Sequence, residues 1–454
     1  MYDFIPLVNK AIEPYREMVL KAERDIWAHP ETGYREWHTS EYMKEKFIEL
    51  GYEPVMAGNI PGFYADIETG RPGPTVAIFG ELDSLICANH PESNKENGYV
   101  HACGHHAQSA ALLGIAASLK NPEVEALLCG KIRLVAVPAE ELLELGYRKQ
   151  LREQGIIKYF GGKVEFLYRG YLDGVDASFM VHTAAADKII HFPVGSNGCL
   201  CKNITYHGLS AHAGGAPHDG INALYAANLG ITAINALRET FKDDDHIRVH
   251  PIMTAGGSAV NAIPETAVLE SYVRGATPDS IINANDKVNR AIAASALALG
   301  ANVEISDIMG YFPFSPDMNM TDIGYDIACE LFGKENVGRS YEWDTGCTDM
   351  GDISCVMPAI QPYAAGAVGH GHGADYFIED PEKAVIDSAK FQAALLLGLM
   401  QNGGKAVYEI KKNAKLRFNS YEDYFKAADA IQMEQMAIEY TEDGKASVSW
   451  KKSE

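Results

Sequence analysis

The chain has 454 residues, of which 47% are hydrophobic and 22% are charged, a composition typical of globular proteins. Its formal net charge of −22 argues against nucleic acid and membranes as partners, because nucleic acid and anionic membrane surfaces both bind a basic face. The length exceeds what one hydrophobic core usually spans, so we expect two domains.

Neither export nor membrane insertion is predicted from the sequence. The first residues, Met-Tyr-Asp-Phe-Ile-Pro, lead into a charged amphipathic run instead of a basic head and an apolar core. No window approaches the roughly 20 apolar residues of a membrane span. The 8 cysteines show no compact disulfide-framework spacing. We therefore expect a reduced, cytoplasmic protein.

Strands and helices alternate in the first part of the chain, and each predicted strand leads to a polar side chain. Helices are predicted over 5–28, from the turn at 29–33 to about residue 50, and over 107–119 and 142–160. Strands are predicted over 75–79, 132–137 and 175–182. Asp83 follows the first strand, and Glu140 and Glu141 follow the second. His182 ends the third. Ligands gather beyond the carboxyl ends of parallel strands, so this pattern predicts an α/β catalytic domain with its site at that edge.

Residues 199–311 follow a different order and are expected to form an inserted second domain. Strands are predicted at 203–207, 247–254, 267–274 and 302–307, and helices at 222–241 and 280–299. The order β-α-β-β-α-β is typical of a ferredoxin-like unit. The catalytic domain would then consist of residues 1–198 and 312–403. Residues 404–454 form a charged extension of unknown role, with helical periodicity near 421–438.

One thiol and three imidazoles lie close together in the run His101-Ala-Cys-Gly-His-His106. Thiolate and neutral imidazole suit zinc, although isolated His and Cys residues are more often packing or surface residues. The adjacent carboxylates of Glu140 and Glu141 cannot both point the same way. One can bind metal while the other takes a proton from a metal-bound water, so these segments together favour a metal-dependent hydrolase.

The order of the motifs resembles the aminoacylase/carboxypeptidase-like metallo-amidohydrolases. More narrowly, it is similar to the branch with aminobenzoyl-glutamate utilisation subunits and N-acyl-amino-acid hydrolases. The motifs, spread over about residues 20–400, are Gly80-Glu-Leu-Asp83, His101-Ala-Cys-Gly-His105, Pro138-Ala-Glu-Glu141, Gly208-Leu-Ser-Ala-His212-Ala, Asn261-Ala-Ile-Pro264, Thr348-Asp-Met-Gly-Asp-Ile-Ser354 and His372-Gly-Ala-Asp-Tyr376. The resemblance implies an α/β zinc-peptidase-like catalytic domain with an inserted ferredoxin-like lid and dimerisation domain.

The same resemblance implies a site for two divalent metal ions in each protomer. Cys103 would bridge the ions, His105 and His182 would complete one, and Glu141 and His372 the other. His370 remains an alternative to His372. A thiolate ligand favours zinc over magnesium, and manganese or cobalt are the alternatives.

Roles for other side chains also follow from the resemblance. Glu140 would be the general base, and Asp83 would support a ligand. His212 would reach the site of the neighbouring protomer in a homodimer and stabilise the oxyanion. Asn261 and Arg274 would hold the carboxylate of the substrate.

The chain departs from the family pattern in three places. His106 stands where the family usually has Asp. The helical run 142–160 separates Glu141 from the Gly-rich stretch that usually follows, and it could line or cover the substrate pocket. The extension beyond residue 404 has no counterpart in the pattern.

The function expected is hydrolysis of the amide bond of N-acyl or N-aroyl amino acids or of small dipeptides. A non-catalytic relative that binds metal or ligand is one alternative, but such a relative should have lost the base or a metal ligand. A peptidase acting on longer peptides is another, less compatible with a lid that holds a small carboxylate.

Overall fold

Two separate units make up residues 2–451, the part of the chain that the computed structural model describes. The first unit contains the chain up to Gly195 together with Ser315–Trp343 and Asp352–Asn419. The second contains Ser196–Phe314, Asp344–Gly351 and the chain from Ser420 onward. Within residues 2–451, no helix has the length and apolar character needed to span a membrane.

The helices follow one another in this order: α1 (Ile5–Ile12), α2 (Arg16–Ala28), α3 (Trp37–Glu49), α4 (His105–Ser118), α5 (Pro122–Leu127), α6 (Leu145–Glu153), α7 (Gly162–Tyr168), α8 (Ala223–Ala236), α9 (Pro278–Ala298), α10 (Met318–Phe332), α11 (Met350–Ser354), α12 (Ser388–Met400), α13 (Lys405–Asn413) and α14 (Tyr421–Ile431).

The strands are β1 (Val55–Met56), β2 (Phe63–Glu68), β3 (Thr75–Glu81), β4 (Leu85–Ile86), β5 (Tyr99–Val100), β6 (Lys131–Val137), β7 (Ala177–Phe179), β8 (His182–Thr183), β9 (Ile190–Phe192), β10 (Gly198–His207), β11 (Arg248–Val249), β12 (Ile252–Ala255), β13 (Thr266–Gly275), β14 (Asn302–Tyr311), β15 (Val337–Arg339), β16 (Ala359–Ile360), β17 (Tyr363–Ala364), β18 (Ala367–Val368), β19 (Phe377–Ile378), β20 (Met433–Met436), β21 (Ile438–Tyr440) and β22 (Ala446–Val448).

The main sheet of the first unit has a parallel centre, as the sequence predicts. Its strand order is β1-β2-β6-β3-β7-β16, and β3 pairs in parallel with both β6 and β7. The apolar side chains of β3 are buried, which is typical of strands covered on both faces. The carboxyl ends of β3, β6 and β7 therefore meet at one edge, where Asp83, Glu140 and His182 follow them.

Helix α4 is the most completely enclosed helix near this edge, since every residue from His105 to Ser118 is buried. It packs against β3, α2 and α12. Small residues allow this close packing: a Cβ added at Gly114 would lie 2.9 Å from the Cβ of Ala389. A helix that is buried on all sides packs in the core of its unit. The position of His105, its first residue, is therefore fixed by the packing of the whole helix.

Two predicted helices of the first unit differ in the structure: one is interrupted and the other is shorter. Pro14 lies in a single 3₁₀ turn that separates α1 from α2, because proline lacks the N–H that a continuous helix needs. The predicted helix over 142–160 is shorter in the structure, where α6 covers only Leu145–Glu153. A π-helical turn at Glu382–Asp387 precedes α12.

The second unit has the predicted ferredoxin-like topology. Strands β12, β13, β10 and β14 are neighbours in an antiparallel sheet, and α8 and α9 pack against it. The predicted strand over 247–254 is divided into β11 and β12 by Pro251, which cannot donate a ladder hydrogen bond. The predicted two-domain α/β fold class is confirmed.

The chain after Ser420 belongs to the second unit. The helical prediction near 421–438 holds only to Ile431, where α14 ends; beyond it the prediction is wrong, because β20 pairs antiparallel with β14. Met433 and Ile438 are buried in the core of this unit. A backbone in β conformation can bury alternate apolar residues here, whereas a helix would leave the edge of β14 uncovered.

We expect Ile438→Ala to destabilise the second unit by about 3 kcal/mol, because the change leaves a cavity under β14. Urea unfolding followed by circular dichroism measures the change. The exposed neighbour Glu439 provides the control, and Glu439→Ala should change the stability by about 0.5 kcal/mol or less. Equal effects of the two substitutions would show that the packing of this segment on the sheet is unimportant.

Candidate metal centre

The predicted ligands come together in the first unit at the sheet edge. Cys103 and His105 lie at the start of α4, Glu141 follows β6, and His182 begins β8. His372 lies in the loop of the β18–β19 hairpin. Strand ends and loops often carry functional side chains, because a rigid sheet holds them in place.

The first group of metal-binding side chains is Cys103, His105 and His182, whose ligand atoms lie within 4.8 Å of one another. The Cys103 Sγ is 3.5 Å from the His182 Nε2. The Nδ1–H of His182 donates to the carbonyl oxygen of Thr183 at 2.7 Å. This hydrogen bond fixes the tautomer that leaves Nε2 facing the thiol.

The second group, Cys103, Glu141 and His372, shares the thiol with the first. The His372 Nε2 is 2.9 Å from the Glu141 Oε1, and the His372 backbone N–H donates to the Ala102 carbonyl at 2.8 Å. His370 is placed differently. Its Nδ1 is 2.8 Å from an Asp375 carboxylate oxygen, and its side chain is 89% exposed.

Asp83 connects the two groups. One carboxylate oxygen accepts a hydrogen bond from the His105 Nδ1 at 3.0 Å, and the other accepts from the Glu141 backbone N–H at 2.7 Å. Because Nδ1 is bound in this way, the Nε2 of His105 faces the cluster. Asp83 thus joins α4 to the segment after β6 through hydrogen bonds.

The electrostatics favour a thiolate. Burial and the Glu141 carboxylate act to raise the pKa of the Cys103 thiol, but His105 and His182 outweigh them and lower it to about 6. Burial also opposes ionisation of Glu141, yet His372 lowers the pKa of this carboxyl to about 2. The Glu141 carboxylate in turn raises the pKa of His372 to about 11. Metal binding at His372 would therefore release a proton.

The donor set fits divalent metal. The His105 Nε2 is buried and makes no well-aligned hydrogen bond among residues 2–451, although the Glu81 Oε2 lies 3.2 Å away. Burial of such a nitrogen normally requires a partner. This nitrogen belongs to the group that converges on Cys103. A thiol, imidazoles and a carboxylate are together the donors that zinc and its neighbours prefer.

Glu81 and Lys163 are functional-site residues to which the sequence analysis gave no role. The Glu81 Oε2 is 3.2 Å from the His105 Nε2, and its other oxygen forms a buried ion pair with Lys163. Glu81, His105 and Glu140 form a further group with converging ligand atoms. Glu81 stands in the Gly80-Glu-Leu-Asp83 motif and could have been considered from it, whereas no local signal marks Lys163.

His106 does not join the ligand groups. Its Nε2 is 3.1 Å from a carboxylate oxygen of Glu23, and its ring lies 4.8 Å from that of Trp27, both on α2. Burial lowers the pKa of His106, which favours the neutral imidazole. The residue that departs from the family pattern therefore packs between α4 and α2, with the Glu23 carboxylate as its polar neighbour.

Helix α6 supports the loop that carries the two glutamates. The buried guanidinium of Arg148 donates to the carbonyl oxygens of Phe160 at 2.6 Å, of Ala139 at 3.4 Å, and of Glu141. Ala139, immediately before Glu140, has a positive φ of 59°, an uncommon conformation for a residue with a Cβ. The run after Glu141 thus supports the Glu140-Glu141 loop through the hydrogen bonds of Arg148.

The other predicted site residues lie in the second unit. His212 and Asn261 are neighbours near its surface, since the Ala213 N–H donates to the Asn261 carbonyl at 2.9 Å. The ring Nδ1 of His212 accepts from the Gly215 N–H at 2.8 Å. Arg274 is on β13, and its guanidinium lies over the ring of Tyr272.

The chain is similar in sequence to known proteins. Residues 62–398 match peptidase family M20/M25/M40. A p-aminobenzoyl-glutamate hydrolase chain of Escherichia coli is 31% identical over 340 residues, covering 62% of this chain and 72% of that protein. The Xaa-Arg dipeptidase of Mus musculus is 28% identical over 374 residues, covering 78% and 77%.

Solved structures show the same fold. The aminobenzoyl-glutamate utilization protein of Klebsiella pneumoniae aligns with a TM-score of 0.66 and 20% identity, covering 87% of this chain and 99% of that one. A dinuclear metal-binding peptidase of Bacillus subtilis aligns with a TM-score of 0.62 and 21% identity, covering 85% and 98%.

We expect Asp83→Asn to weaken zinc binding about 10- to 100-fold, because an amide cannot accept from both the His105 Nδ1 and the Glu141 N–H. Competition with a chelator measures the zinc affinity. The exposed Asp187 gives a matched control, and Asp187→Asn should leave the affinity unchanged. An unaltered affinity in folded Asp83→Asn would contradict the supporting role of Asp83.

Proposed function

The chain belongs to peptidase family M20/M25/M40, and we propose that it is the metal-dependent hydrolase of a small amide substrate, an N-acyl or N-aroyl amino acid or a dipeptide. The observation that carries the proposal is the convergence of two ligand groups on Cys103, with the Glu140 carboxylate beside them. The named activities of relatives, which include an aminobenzoyl-glutamate hydrolase and a dipeptidase, support this substrate class.

Five side chains would hold two divalent metal ions. Cys103 would bind both, His105 and His182 would bind one, and Glu141 and His372 the other. The chemistry that such a pair supplies when bound is a lowered pKa of water and polarisation of the scissile carbonyl. We propose zinc, since the thiolate and imidazole donors favour it, with manganese or cobalt as alternatives.

Glu140 would be the general base. Its carboxylate is largely buried and lies 3.9 Å from the His105 Nε2, close to the ligands. Glu141, its neighbour, is directed to His372 instead. The backbone at Ala139 and the Arg148 contacts fix this divergence, so one glutamate can bind metal while the other accepts the proton of the attacking water and passes it to the leaving amine.

The second unit would supply the remaining contacts from a homodimer. Asn261 and Arg274 would bind the substrate carboxylate, and His212 would stabilise the oxyanion in the site of the neighbouring protomer. Exposed apolar side chains support an interface on this unit: Tyr225 and Leu229 on α8, and Ile252 and Met253 on the edge strand β12. The free cysteines among the described residues support a reducing, cytoplasmic location.

We expect Glu140→Gln to lower kcat about 100-fold or more while the metal content stays constant, because the amide cannot take a proton. The measurement is hydrolysis of a panel of N-acyl amino acids, N-aroyl amino acids, dipeptides and longer peptides, with metal analysis of each sample. Glu153→Gln, at an exposed position of α6, should retain full activity.

Each outcome of the panel decides a part of the proposal. Activity that persists in Glu140→Gln would contradict the assignment of the base. A wild-type protein that hydrolyses longer peptides better than the small substrates would favour the alternative peptidase. Absence of turnover on every substrate by the metal-loaded wild type would favour a binding protein.

The shared site predicts complementation between two inactive variants. Neither His212→Ala nor Glu140→Gln alone should turn over substrate, but a mixture that exchanges protomers should recover about a quarter of the wild-type activity, since half of the dimers have one intact site. Heterodimer formation is verified with two affinity tags. Demonstrated heterodimers without activity would contradict a site shared across the interface.

A further inference from the structure

A second set of metal-binding side chains joins α2 to α3, apart from the ligands around Cys103. Asp25 lies in the last turn of α2, His29 directly follows that helix, and His38 lies in the first turn of α3. The three offer one ligand atom each within 4.8 Å of one another. The rings of His29 and His38 are in contact, with their centroids 4.1 Å apart.

The distances fit a small divalent cation. The Asp25 Oδ1 is 3.6 Å from the His29 Nδ1 and 3.7 Å from the His38 Nε2. Tetrahedral zinc, with bonds of about 2.0–2.1 Å, separates neighbouring ligand atoms by about 3.3 Å. Small rotations of these half-exposed side chains would therefore bring the three atoms to coordination distance.

The Asp25 carboxylate oxygen gives an independent indication. Its Oδ1 is buried, yet it has no hydrogen-bond partner among residues 2–451. Both imidazole nitrogens that face it are beyond hydrogen-bonding distance. A buried anionic oxygen without a hydrogen bond is costly, and a cation held between it and the two imidazoles would satisfy it.

We propose that Asp25, His29 and His38 form a third divalent-cation site, of the kind that zinc occupies, with the remaining coordination position open to solvent. Two imidazoles and one carboxylate are donors that zinc accepts. The His29 Nδ1 donates a hydrogen bond to the carbonyl oxygen of Asp25 at 2.8 Å. Metal binding at this nitrogen would replace that hydrogen bond and leave the ring proton on Nε2.

The site would tie the end of α2 to the start of α3. Glu31 already fixes the first turn of α3 by accepting from the N–H groups of His38 and Thr39 at 3.0 and 2.9 Å. A bound cation would add a second connection between the helices. Because α2 also carries Glu23, the partner of His106, the connection would stabilise the helix that packs beside the metal centre.

Zinc stoichiometry tests the proposal. The purified full-length protein is dialysed against micromolar free Zn²⁺, and zinc per chain is measured for the wild type and for the double variant His29→Gln/His38→Gln. We expect the variant to bind one equivalent less. The difference does not depend on how much zinc the Cys103 centre holds, so it is independent of the proposed function.

A matched control separates a built site from general binding to surface imidazoles. His218 and His250 are exposed, and the variant His218→Gln/His250→Gln should bind as much zinc as the wild type. Equal zinc in the wild type and in His29→Gln/His38→Gln would overturn the proposal. The same loss in the control variant would also overturn it.

Hydrogen exchange tests the connection between the helices. Added zinc should slow amide exchange in the segment from His29 to His38 of the wild type and should have no such effect in His29→Gln/His38→Gln. Exchange that is insensitive to zinc in the wild type would overturn the connecting role.

Discussion

The Asp83 carboxylate is the interaction on which the centre depends. It accepts from a side chain on α4 and from the backbone after β6, so it fixes two ligand-bearing segments with respect to each other. A buried anion is stable only where donors surround it, and Asp83 has donors on both oxygens. Burial and the neighbouring Asp83 also raise the pKa of Glu36 well above its usual range.

Two helices outside the sheet contact the segments that carry the site residues. Arg148 on α6 binds carbonyl oxygens of the loop that contains Glu140, and Glu23 on α2 contacts His106 beside the His105 ligand. Both supports use a charged or polar side chain against buried polar groups. Such contacts are directional, so they determine the orientation of the loop and the helix in a way that apolar packing alone does not. The run inserted after Glu141 therefore serves the geometry of the two glutamates.

The sheet of the second unit has edges of different character. The β14 edge is paired with β20, a strand that comes from the end of the described chain, and this pairing buries Met433. The other side has the short strands β11 and β12 on β13, and every residue of β12 is exposed. The β14 edge is already paired, so a second copy of the chain cannot pair with β14, whereas β12 exposes apolar side chains at the other edge. This asymmetry is consistent with the homodimer proposed above.

The sequence by itself determined the class of fold and the neighbourhood of the site. Alternating strands and helices, with Asp83, Glu140 and His182 after successive strands, predicted the sheet edge, because parallel strands place their carboxyl ends together. The order β-α-β-β-α-β likewise predicted the second unit. Both are local patterns that repeat along the chain, so they can be read without knowledge of distant contacts.

Only the tertiary structure decided which of several equivalent side chains faces the centre. His370 and His372 are two residues apart in a Gly-rich loop. His372 has a backbone contact with Ala102 and faces Glu141, whereas His370 faces Asp375. The partners of His106 and Glu81 come from α2 and α7, far away in the sequence. Residues Met433–Met436 form a strand because they pair with the edge of β14. Such choices depend on long-range contacts, and no local pattern of residues encodes them.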